Sequence, residues 1–146
     1  RREKKIEGQV TAQQLSEELA NLGASELVTA IQEGLKDPVP QTGVATTAHK
    51  IHRSDLRLDW ELSAVELDRI VRVGGAWTTS DSSLLKVHQT RVVNGEGNPG
   101  VLDHDLVGTS KGLLQLLVVQ PEGKSRMNAE AWINGARLAA KAQLGT

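Results

Sequence analysis

Beyond Gly74-Gly75 the chain changes texture, and that change limits its fold more than any other feature: short β-prone runs alternate with clusters of turn residues. Leu84 to Val93 carries Val87, Thr90, Val92 and Val93, N-G-E-G-N-P-G follows at 94–100, and Leu113 to Val119 is apolar enough to be buried. Several short strands within about 60 residues predict a small barrel or a sandwich.

Helical signals flank this region. Thr11 with Gln14 fits a capping box, and Leu15, Leu19, Leu22, Val28 and Ile31 recur at roughly helical spacing up to Gly34. One helix is expected there, with a bend near Gly23 and a stop at Gly34. Ser63 with Glu66 makes a second capping box, ahead of Val65, Leu67, Ile70, Val71 and Val73 and a stop at Gly74-Gly75. Asn128 is expected to cap a last helix in which Trp132, Ala136 and Ala140 share a face, flanked by Ile133 and Leu138. Between the first helix and the rest, D-P-V-P-Q-T-G at 37–43 holds two prolines that remove backbone donors, so an extended linker and a domain boundary are expected. Residues 1–7 (RREKKIE) place charges around a single Ile6 with no initiator Met, as expected of a fragment that starts on an edge strand.

With 146 residues the chain suffices for one domain, or for a small domain with a piece of another attached. No run approaches the 18 apolar residues a membrane span requires. The absence of Cys excludes disulfides and thiolate metal sites, and nothing marks a secretory leader. Trp60, Trp77 and Trp132 are the only aromatic residues, which argues against holding single strands by stacking. A net charge of −1 hides an uneven distribution: residues 1–43 hold five cations and seven anions, and residues 111–141 hold five cations and two anions. A polyanion is therefore expected to prefer the later two-thirds of the chain.

The motif Gly123-Lys124-Ser125 lacks the glycine five residues earlier that a phosphate-cradling Walker loop needs, because Val118 stands there. Two readings remain: a strand-to-helix turn in which Gly123 adopts a backbone shape other residues resist, or Lys124 and Arg126 presenting charge to a phosphate backbone. In A-H-K-I-H-R at 48–53, His49 and His52 lack further ligands at metal-binding spacing. This leaves a solvated edge strand or a cationic rim with Lys50 and Arg53. Asp55, Asp59 and Glu61 have no base or nucleophile motif beside them and are expected to anchor turns. Composition and spacing stop at an α+β fragment with a basic C-terminal region.

Six segments, in their order and spacing, resemble the methionyl-tRNA formyltransferase family: T-A-Q-Q-L-S-E-E-L-A-N-L-G-A at 11–24, P-Q at 40–41, A-H-K-I at 48–51, L-D-W-E-L-S-A at 58–64, G-A-W-T at 75–78 and Q-P-E-G-K-S-R-M-N-A at 120–129. The resemblance implies an α+β chain: a small OB-like β-barrel with flanking helices, preceded by a strand-helix remnant of a Rossmann-like α/β domain. Residues 1–36 would be the last strand and helix of the catalytic domain, 37–43 the linker and 44–146 the tRNA-binding domain. Compared with the family, the connection from Arg72 to G-A-W is shortened to V-G, the segment from Gly100 to Thr109 is also shorter, and Ser125 replaces a common second Lys.

The implied reaction moves formyl from 10-formyltetrahydrofolate to the methionine of initiator Met-tRNA, in a cytoplasmic, monomeric enzyme of translation initiation. The family's catalytic Asn, His and Asp lie upstream of this chain. No residue here takes a catalytic, cofactor-binding or metal-binding role, and the fragment is expected to be inactive by itself. Lys50 and Lys124 match the family's basic tRNA-binding positions, and Arg72, Lys86 and Arg126 are further candidates. A double-stranded acceptor arm suits a chain without stacking aromatics, since A-form RNA is held through backbone and shape. Two alternatives stand beside this one: a non-catalytic protein-interaction barrel, and a fragment of another folate-dependent formyltransferase acting on a sugar nucleotide or small molecule.

Overall fold

The computed structural model describes every residue except Arg1, Lys36, Pro38, Gln41, Ala139 and Ala140. Pro38 and Gln41 of the expected linker and Ala140 of the expected helix face therefore lie outside the described residues. The chain divides into two compact units, Arg1–Ile51 and His52–Thr146.

The first unit holds one helix, α1 (Ala12–Glu33). Its capping box forms as expected: Gln14 N donates to Thr11 Oγ1 at 3.2 Å, and Thr11 N donates to Gln14 Oε1 at 3.0 Å. Two donors that the helix start would leave unpaired are thereby satisfied. The helix runs through Gly23 as one element to Gly34, whose φ of 83° only glycine adopts freely. None of its residues is buried, and Leu27, Val28 and Ile31 stand exposed. Residues 2–10 belong to none of the β-ladders formed within this chain. Exposed ion pairs join them to α1 instead, Arg2 to Glu26 at 2.9 Å and Lys4 to Glu18 at 2.8 Å.

In the second unit, β1 (Trp77–Ser80), β2 (Ser83–Val93), β5 (Leu113–Pro121), β4 (Leu106–Gly108), β3 (Val101–Asp103) and β7 (Ala142–Gln143) are antiparallel neighbours in that order. Ser80 then bridges Leu144, and Gly145 N donates to the Thr79 carbonyl at 2.9 Å, so the last strand meets the first. The two-residue β6 (Met127–Asn128) pairs with the far end of β5. Of the barrel and the sandwich expected from the short strands, the barrel forms, with the OB-like character implied by the resemblance. Joining β7 to β1 removes edges that would otherwise present unpaired N–H and C=O groups.

Strand alternation fills the interior. Leu85, Val87, Leu102, Val107, Leu114, Leu116, Val119 and Leu144 are buried, and Leu58, Leu67, Val71 and Trp132 pack with them from outside the strands. Each buried Leu or Val contributes about 1.5–3 kcal/mol relative to exposure. α2 (Ala64–Val73) begins at Ser63 with the expected capping box and ends at Gly74. Gly74 and Gly75 have φ of 97° and 81°, a pair of left-handed residues that turns the helix into β1 through the short V-G connection. α3 (Ala129–Ala136) is capped by Asn128, whose Oδ1 accepts from Glu130 N at 2.8 Å. The face predicted for this helix is corrected: Trp132 is buried beside Ala129, Ala136 is exposed, and the helix ends there because Arg137 enters the left-handed region at φ 51°.

Candidate nucleic-acid interface

On β2, Leu85 and Val87 point inward while Lys86 between them is exposed, as the two-residue period of a strand requires. Lys86 lies directly across from Trp77 on β1 and from Gln120 on β5. Trp77 in turn makes a parallel bridge to Arg57. Four backbone segments thus set Arg57, Trp77, Lys86 and Gln120 side by side on the outer face, a row spanning roughly 14 Å at the usual strand spacing.

The row continues at its far end. The register that pairs Val119 with Met127 sets Arg126, one residue further, opposite Gln120. Gln120 Nε2 donates to the Lys124 carbonyl at 2.9 Å, anchoring the turn that carries Lys124. That turn is closed by Lys124 N donating to the Pro121 carbonyl at 3.1 Å, with Gly123 at φ 70°. The Gly-Lys-Ser motif is therefore a glycine-dependent turn at the end of β5, and it exposes Lys124, Ser125 and Arg126.

His88 sits where the β2–β5 register shifts, between Val87 and Gln89. Its Nε2 lies 3.0 Å from Gln120 Oε1. Because the amide nitrogen of Gln120 is spent on the Lys124 carbonyl, Gln120 offers its oxygen here, so His88 donates from Nε2. Burial pushes the His88 pKa below its ordinary 6.5; the Gln120 hydrogen bond raises it, while the charges of Arg126 and Lys86 lower it further. Lys86 and Arg126, carried by different segments, thus act on one imidazole.

At the other end, the Arg53 and Arg57 guanidinium carbons lie 5.2 and 5.7 Å from the Trp77 ring centroid. The Trp77 indole N–H donates to the Arg53 carbonyl at 2.9 Å, which fixes the ring. Sequence reasoning assigned no role to Arg57 or Trp77 in this face and only a rim position to Arg53. The strand alternation that exposes Lys86 was readable. The bridge from Arg57 to Trp77 joins residues whose proximity only the fold creates.

Of the remaining candidates, Arg72 lies elsewhere in the second unit. Arg72 Nε donates to Asp68 Oδ2 at 3.0 Å, and Thr90 Oγ1 donates to Asp68 Oδ1 at 2.8 Å. Thr90 is buried and pairs with buried Leu116, so Arg72 belongs to a cluster against the interior, apart from the outer row. Lys50 is exposed in the first unit. His49, Lys50 and Ile51 form no strand, correcting the edge-strand expectation. His52 N donates to Asp55 Oδ2 at 2.8 Å to begin a 3-10 turn, and Glu61 N donates to Asp59 Oδ1 at 3.1 Å. Asp55 and Asp59 anchor turns, as expected.

Residues 50–137 match the family model described as formyl transferase, C-terminal domain. This chain belongs to that family. Among curated proteins it is similar to the methionyl-tRNA formyltransferase of Jannaschia sp. (strain CCS1), 37% identical over an alignment covering 95% of this chain and 48% of the relative. The enzyme of the same name from Corynebacterium efficiens is 38% identical, over 93% of this chain and 48% of the relative. That from Thermodesulfovibrio yellowstonii is 33% identical, over 91% and 47%. The chain therefore spans about half the length of these relatives. Among solved structures, HypX from Aquifex aeolicus in complex with tetrahydrofolic acid superposes with a TM-score of 0.60 at 17% identity, over 82% of this chain and 23% of HypX. This formyl transferase C-terminal domain shares the fold of that region.

Proposed function

We propose that this chain is the C-terminal part of a methionyl-tRNA formyltransferase and that its barrel holds the acceptor arm of initiator Met-tRNA. On this reading the whole enzyme transfers formyl from 10-formyltetrahydrofolate to the methionyl amino group, as a cytoplasmic monomer in translation initiation. Residues 1–36 complete the catalytic domain, 37–43 link it to the barrel, and the donor site and catalytic groups belong to the half of the relatives' length that this chain does not span. The fragment by itself then binds tRNA, binds no folate and transfers nothing. The names of the relatives favour Met-tRNA over another formyl acceptor.

The observation that carries the tRNA-holding role is the outer row, which puts Lys86 and Arg126 around Gln120 and His88 beside the Lys124 turn. These cations come from separate strands and a turn, an arrangement that neutralises backbone phosphates without selecting bases. Lys50 and Arg72 complete the set proposed for tRNA, Arg72 through its hold on α2 as well as its charge. Filter binding of tRNA across a salt series tests the proposal. Affinity should fall linearly on a log–log plot, and Lys86→Ala and Lys124→Ala should each weaken initiator and elongator tRNAs about equally. Salt-insensitive binding, or no binding at low salt, overturns it.

A further inference from the structure

We propose that Arg53 and Arg57, both held against Trp77, form a phosphate clamp at the near end of the outer row, engaging the RNA backbone at a point separate from Lys86 and Arg126. The inference rests on the outer row being the RNA-facing surface. Both guanidiniums lie within 6 Å of one indole centroid, and the indole is locked by its hydrogen bond to the Arg53 carbonyl. Arg57 Nη2 also lies 3.4 Å from the Gly145 carbonyl, so the side chain is steadied from a second direction. Both arginines are exposed, and neither takes part in the ion pairs formed among the described residues. The carboxylate between them in sequence, Asp55, is engaged by the His52 backbone N–H and the Ser54 hydroxyl.

These facts select the ligand's chemistry. Two like charges gathered on one ring repel, and an anion placed against both relieves that repulsion. Guanidinium forks match phosphate oxygens in pairs, and stacking restricts the side chains beforehand, so less freedom is lost on binding. With its ring engaged by two cations, Trp77 orients the arginines instead of stacking a base. A backbone phosphodiester therefore fits better than an unpaired nucleobase.

The test is binding of a fluorescein-labelled acceptor-stem RNA hairpin to the 146-residue chain across a salt series, for the Arg53→Ala/Arg57→Ala double variant, Arg53→Lys/Arg57→Lys and Lys86→Ala. The Ala double variant is expected to lose at least about tenfold in affinity and to lower the magnitude of the log–log salt slope by about 1.5, two phosphate contacts' worth. The Lys double variant, which retains charge and removes the fork, is expected to keep the slope and still bind more weakly than the parent. The indole hydrogen bond survives both changes because it ends on a backbone carbonyl. If Lys86→Ala lowers affinity and slope while the Ala double variant changes neither, the clamp is overturned and the RNA-facing row stands. If neither Lys86→Ala nor the double variant alters binding, the RNA-facing assignment fails, and the clamp fails with it.

Discussion

The Thr90 hydroxyl donates to the Asp68 carboxylate at 2.8 Å, tying α2 to the central strand of the barrel through a carboxylate that also accepts from Arg72. Asp68 is 5% exposed, so both of its oxygens depend on these protein donors and little on water. Replacing Asp68 with Ala removes one acceptor from the guanidinium and one from the hydroxyl. A loss of about 3 kcal/mol is expected, measured by urea unfolding. A loss within experimental error would mean that water replaces the carboxylate at no cost.

Arg72→Ala should destabilise the same cluster, and this matters for any binding experiment. Its effect on tRNA is to be read only after its unfolding midpoint is known. A variant that binds less while unfolding at the parent's midpoint would place Arg72 directly in the interface.

Gly108 lies where β4 passes the 97–98 turn. A methyl group there would meet the Asn98 carbonyl group and the Gly97 carbonyl carbon, which are backbone atoms with no rotamer to yield. Gly108→Ala is therefore expected to cost about 2–3 kcal/mol by overpacking, read as a fall in the thermal midpoint. Gly135→Ala, inside α3 with nothing within 4 Å of the added carbon, is the control, expected to leave the midpoint unchanged or raise it by up to about 1 kcal/mol of added stability.

His88 links stability and binding to pH in opposite senses. Its pKa is held below 6.5 by burial and by neighbouring cations, so the folded state binds fewer protons than the unfolded state in that region. Its contribution to stability is full above pH 6.5 and is lost as pH falls through the lowered folded value. A phosphate bound beside it favours the charged form, so RNA affinity should rise over the same descent in pH. His88→Gln should flatten both dependences. Parallel pH profiles for parent and variant would show that another group is responsible.

The α2 capping box supplies the remaining test. Ser63→Ala removes the hydroxyl that the Glu66 amide donates to and that itself donates to the Glu66 carboxylate, and should cost about 1 kcal/mol. The Ser63 hydroxyl and amide hold the Glu66 pKa below its ordinary 4.5. That support is complete above pH 4.5 and disappears as pH falls through the lowered value, so the stability difference between parent and variant should narrow in acid.

Local instructions were legible in the linear chain because each acts over three or four residues. Thr11 with Gln14, Ser63 with Glu66 and Asn128 each start a helix, Gly34 and Gly74 each end one, and the turn residues around 94–100 and 121–124 interrupt the strands. The exposure of Lys86 between Leu85 and Val87 follows from the strand period in the same way. Where the fold departed from expectation, a partner distant in sequence decided the outcome. Residues 48–51 form no strand, because a strand exists only where a second backbone supplies hydrogen bonds. Arg72 was one cation among several until Asp68 and Thr90 drew it into a buried cluster. The row from Arg57 through Trp77 and Lys86 to Gln120 is the clearest instance: its members come from four segments, and only inter-strand pairing converts those sequence separations into steps of about 4.8 Å.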